Sequence, residues 1–153
     1  MSALKDRLRD DLNTALKSRD ALRTSVIRMA LAAITNAEVA GKEARELTDD
    51  DVLTVLSSEA KKRRESATAF DEGNRPELAE KERAEAAILA DYLPEPLSDE
   101  EIAAIVSNVI DQTGAAGEGM KAMGKVMGAV SAQTKGRADG GAVAAEVRRQ
   151  LGA

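Results

Sequence analysis

Apolar residues recur every three or four positions along most of this chain, the spacing of one face of an α-helix. Leu4, Leu8, Leu12 and Leu16 form the first such stripe and predict a helix from Ser2 to about Arg19. Leu22, Val26, Met29, Ala30, Ala33 and Ala37 form the second, which Gly41 is expected to end. The third stripe is Val52, Leu56, Ala60, Ala67 and Phe70. Thr48 precedes it as a cap, Asp49, Asp50 and Asp51 lie at its positive end, and Gly73 closes it. Pro76 suits the first turn of a fourth helix carrying Leu78, Ile88, Leu89 and Tyr92. Pro94 and Pro96 stop that helix, because a residue before proline resists the helical conformation.

Ser98-Asp99-Glu100-Glu101 then has the spacing of a capping box and opens a fifth helix with Ile102, Ile105, Val106, Val109 and Ile110. That helix is expected to end near Gly114, ahead of a glycine-containing loop to Gly119. Met120, Met123, Met127 and Val130 mark a sixth helix; Val143, Val147 and Leu151 mark a seventh, capped by Asp139. No run of β-branched residues alternates with polar ones, so strands have no support. The prediction is an all-α protein of two small helical domains. An N-terminal helical domain with its linker helix spans residues 1–93, and a C-terminal three-helix domain spans 97–153, joined by a partly helical, proline-containing linker.

Composition narrows the chemistry. Phe70 and Tyr92 are the only aromatic residues, so the core must come from Leu, Ile, Val, Met and Ala. The absence of cysteine excludes disulfides, zinc–thiolate sites and cysteine nucleophiles. The absence of histidine removes the side chain that titrates near neutrality and with it the commonest general base. Glu80, Glu82 and Glu85 cluster on the fourth helix, but Lys81 and Arg83 interleave with them, which predicts an exposed charged face. No catalytic residue, metal site or cofactor is expected. Charges separate Leu4 from Leu8, so no secretory signal core is present, and no apolar run approaches the ~20 residues of a membrane span. These features predict a cytoplasmic protein.

The net charge is −5, and it is unevenly spread. From Glu95 to Glu118 every charged residue is acidic; from Gly119 onward bases predominate. Within that basic region, Gly119 to Lys125 matches the spacing of a phosphate-binding loop. Val126 stands where the metal-binding hydroxyl belongs, however, and a helix rather than a strand precedes it, so the match is set aside. Read as helix, Lys121 and Lys125 lie four apart, as do Gly124 and Gly128. Two helical glycines cost roughly 1 kcal/mol each against alanine, which implies close approach of another backbone, that of a neighbouring helix or of an RNA. Lys135 and Arg137 extend the candidate phosphate contacts toward the turn before the last helix. A secondary candidate is Lys61, Lys62 and Arg64 in the run Lys61-Lys62-Arg63-Arg64. Consecutive helical side chains point about 100° apart, so the run makes no flat patch, and one of Arg63 and Arg64 must flank the apolar stripe.

Five blocks of the chain, taken in order, resemble the GatB/YqeY family, in particular its stand-alone YqeY-like members. They are Arg28 to Ile34 with Asn36 and Glu38; Lys62 to Ser66 with Phe70; Glu82 to Glu85 leading to Tyr92-Leu93-Pro94; Met123 to Met127; and Gly136 to Asp139. The resemblance covers essentially the whole chain. It implies two small helical domains similar to the C-terminal tail of the B subunit of the glutamine-dependent tRNA amidotransferase, a tail associated with holding the transfer RNA body. The implied role is an accessory protein without a catalytic site of its own, binding tRNA or a tRNA-dependent amidotransferase or aminoacylation partner. Lys121, Lys125, Lys135 and Arg137 would then meet phosphates, and Gly124 and Gly128 would let the RNA backbone close. One alternative is a protein–protein interaction module with no RNA role. The other is a carbon–nitrogen ligase using glutamine as amido donor, a reading that rests on the resemblance alone, because nothing here resembles the larger domain that houses that chemistry.

Overall fold

The computed structural model describes residues 2–152. Among them run seven α-helices: α1 (Ala3–Lys17), α2 (Ala21–Glu38), α3 (Asp49–Glu72), α4 (Pro76–Ala90), α5 (Asp99–Thr113), α6 (Met123–Thr134) and α7 (Gly140–Gln150). A 3₁₀ turn, Gly119–Ala122, leads into α6, and no strand occurs among the described residues. The protein is all-α, as its periodicity predicts.

Side-chain caps set most helix starts. Ser2 accepts from the Lys5 amide, Asp20 from the Arg23 amide and Asp139 from the Ala142 amide, each satisfying a donor with no partner inside its helix. The reciprocal capping box forms at Thr48 and Asp51, where each side chain accepts from the other's backbone amide at 3.2 and 3.1 Å. At Ser98 the arrangement is one-way: Ser98 Oγ accepts from the Glu101 amide and donates its own proton to the Glu101 carboxylate. α2 ends at Glu38, short of Gly41, and Gly73 ends α3 while Asn74 takes the left-handed conformation at φ 57°.

Backbone contacts divide the chain into two units, one ending at Leu93 and the other starting at Pro94. The first closes around Leu8, Val26, Ile27, Ile34, Val52, Leu56 and Leu89. The leucine ladder of α1 drifts across this core, because four residues turn the helix about 40° past a full circle. Leu8 is fully buried, Leu4 and Leu12 partly, and Leu16 is 45% exposed, so Ala15 takes the last inward position. Two polar ties fix the ends of the unit. Asp49 at the start of α3 accepts from Ser2 Oγ at 2.5 Å and the Leu4 amide at 3.1 Å, joining the first turns of α1 and α3. Tyr92, just past α4, donates to Asp11 at 2.5 Å with the Arg7 guanidinium 4.6 Å from its ring centre.

The second unit packs α5, α6 and α7 around Val106, Val109, Val126, Val130, Val143 and Val147. Its proline-containing entry is stitched to the turn before α7. The Leu97 amide donates to the Arg137 carbonyl at 2.7 Å, and Arg137 Nε donates to the Glu95 carbonyl at 3.3 Å. Among the described residues, no helix is long and apolar enough to cross a membrane.

Candidate nucleic-acid interface

α6 divides cleanly by depth. Ala122, Val126, Val130 and Thr134 are buried in the second unit, while Lys121, Gly124, Lys125 and Gly128 are exposed at steps of three, one and three, a single outward face. A Cβ built on Gly124 or Gly128 meets nothing within 4 Å. The close helix–helix approach that could have accounted for these glycines is therefore not made among the described residues, since α6 packs through the opposite, valine-lined face. α6 also begins without a side-chain cap and without an acidic residue in its first turn. Lys121 and Lys125 stand at its positive end, where the helix dipole disfavours a cation and favours an anion.

The six candidate residues do not form one spot. Lys121 lies on the 3₁₀ turn and Lys125 on the first turn of α6, where its Nζ donates to the Thr113 carbonyl at 3.3 Å and faces Glu118 at 3.4 Å. Lys135 is exposed at the far end of the helix, roughly 15 Å from Lys125 at 1.5 Å per residue. Arg137 is partly buried, and the bond to the Glu95 carbonyl gives it a structural duty instead of the freedom its place in a turn implies. The arrangement is a strip: two lysines and two bare glycines at one end of α6, one lysine and a tethered arginine at the other.

The secondary candidate also splits. Lys61, Lys62 and Arg64 are exposed on α3, with Lys62 3.4 Å from Glu59, whereas Arg63 is only 5% exposed. Its Nη1 donates to the Glu59 carbonyl at 3.0 Å and to the Glu59 carboxylate at 2.9 Å, and Nη2 donates to the Met29 sulfur at 3.6 Å. Nε lies 3.3 Å from Glu85 as an ion pair, off the angle of a hydrogen bond, and has no hydrogen-bond partner. Burial pushes the Glu59 carboxyl up, but hydrogen bonds from Arg63 and Lys62 outweigh it and hold the group below the ordinary glutamate range. Glu85 is 7% exposed, so the expectation of a solvated acidic face on α4 fails there. The signal was present: Leu78, Glu82, Glu85 and Leu89 follow steps of four, three and four, which places Glu85 on the apolar stripe.

Residues 5–151 match the family model described as Yqey-like protein. The chain is 31% identical to altered inheritance of mitochondria protein 41, mitochondrial, of Pyrenophora tritici-repentis, over 96% of this chain and 80% of that protein. Proteins of the same name from Lachancea thermotolerans and Meyerozyma guilliermondii are each 35% identical, over 69% and 56% of this chain. The matched segments span 57% and 44% of those two relatives, about half their length. These names overturn the cytoplasmic expectation. The features behind it, a charged first helix and no long apolar run, belong to any protein that folds in water and do not distinguish one aqueous compartment from another.

Proposed function

The chain belongs to the YqeY-like family, and from that premise we propose that it is an accessory, non-catalytic protein that binds transfer RNA through the outward face of α6. The observation that carries this reading is the pair Gly124 and Gly128, exposed, with no atom near a built Cβ, and flanked by Lys121 and Lys125. Glycines inside a helix weaken it, so their presence on an unpacked face fits a surface that a partner's backbone approaches closely. Lysines at the positive end of the same helix supply the charge that such a partner must neutralise, and a phosphate backbone has it. Lys135 extends the strip to the other end of α6.

Fluorescence anisotropy of bulk tRNA titrated with the protein across a salt series tests the proposal. Binding should weaken steeply with salt and collapse in the Lys121→Glu, Lys125→Glu double variant. No detectable binding at low salt, or binding untouched by the charge reversal, would sink it.

A further inference from the structure

Met29 and Met120 are each 47% exposed, yet their sulfurs sit in different surroundings. The Met29 sulfur accepts from Arg63 Nη2 at 3.6 Å. Among the described residues the Met120 sulfur has no hydrogen bond. The guanidinium behind Met29 is itself 95% removed from solvent, pinned by Glu59 and Glu85, with one N–H left without an acceptor. The N–H of this buried cation that points at Met29, Nη2–H, thus has only a thioether, a weak acceptor.

We propose that Met29 is an oxidation site, at which a hydroperoxide transfers oxygen to the thioether and the Arg63 guanidinium holds that oxygen. The sulfur lone pair attacks one peroxide oxygen and the O–O bond breaks. The sulfur is oxidised by two electrons to the sulfoxide, the peroxide is reduced to water (or to an alcohol), and the proton of the transferred hydroxyl passes to the departing oxygen. Two effects of Arg63 oppose each other. Its N–H draws on the sulfur lone pair in the ground state, which slows attack. The same N–H donates to the transferred oxygen, which becomes negative as its proton passes to the departing oxygen, and this speeds the reaction. A long contact to neutral sulfur is weak, whereas a charge-assisted hydrogen bond to a developing oxyanion is strong, so the second effect dominates. In the product, the sulfoxide oxygen is a far better acceptor than the thioether for the Nη2–H that already points at the sulfur. Met29 is about half exposed, which leaves its side chain open to the oxidant and, once oxidised, to a reductase. None of this depends on RNA binding.

The test is hydrogen peroxide treatment of the whole folded protein, with sulfoxide formation followed at each methionine by peptide mass mapping and Met120 as the internal standard. Met29 should oxidise about tenfold faster than Met120, the ratio expected from one charge-assisted hydrogen bond gained in the transition state. In urea-unfolded protein the ratio should fall to about one, because only the fold supplies Arg63. Arg63→Lys should lower the native preference, and if that variant does not fold, the native-against-urea comparison decides alone. Equal native rates, or a preference that survives in a folded Arg63→Lys variant, would overturn the proposal.

Discussion

Tyr92 is the one tyrosine in a chain with no tryptophan, so its phenol can be titrated optically without interference. Burial and the hydrogen bond to Asp11 both hold it in the neutral form, pushing its ionisation well above the ordinary value of 10.0. A raised value means the contribution to stability is complete below pH 10.0 and lost as pH climbs beyond it. Phenolate absorbance should therefore appear late, and Asp11→Asn should move its midpoint back toward 10.0. Glu146 behaves in the opposite sense. Hydrogen bonds from Arg149, then Gln150, lower its carboxyl from 4.5 to about 2. Its contribution is present above pH 4.5 and disappears as pH falls toward 2, so a thermal melt series over that interval should flatten in Glu146→Gln. The Lys61–Arg64 run shows what was legible at this scale. Helical rotation requires that one of two adjacent arginines turn inward, and it is Arg63 that does. Arg63→Ala leaves Glu59 and Glu85 without their buried cation and should cost about 3 kcal/mol in urea denaturation, while Arg64→Ala should stay within about 0.5 kcal/mol. The sulfur contact at Met29 was not legible, because it depends on the packing of α2 against α3 and not on any spacing within one helix.

Helix starts written as side-chain caps were legible in the sequence, as were the glycine ends at Gly73 and Gly114, whereas Gly41 overshot the end of α2 at Glu38. Thr48, Ser98 and Asp139 each cap the helix predicted for them. The sixth helix, read as running through Met120, instead begins at Met123 after a 3₁₀ turn, since a single turn of either helix type places Ala122 and Val126 inward alike. For α6 the glycine face sets stability against binding. Gly124→Ala with Gly128→Ala adds methyl groups that meet nothing, so the helix should gain about 1 kcal/mol per site by thermal or urea unfolding. If RNA closes on that face, the same double variant should bind tRNA more weakly despite being more stable. A stabilised protein with unchanged affinity would remove the glycines from the interface.

At the scale of the whole molecule, each unit carries its own apolar cluster, one centred on Leu8, Ile27 and Leu56 and the other on Val106, Val126 and Val147. The boundary at Leu93 falls where Pro94 and Pro96 deprive the backbone of amide donors and of helical freedom. A fragment of residues 94–153 is expected to show a helical circular dichroism spectrum and a cooperative melt, with marginal stability for its size. Under the RNA reading it should keep the tRNA affinity of the full chain. The Arg63 cluster has a further consequence for how such a sequence can change over time. Glu85 on α4 has Arg63 on α3 as its counter-charge out of water, so Glu85 without Arg63 is an uncompensated charge in an apolar setting, whereas Arg63 without Glu85 keeps Glu59. Loss of the arginine is therefore blocked until Glu85 has changed. Across diverged relatives, a neutral residue at site 63 should be found together with a neutral residue at site 85.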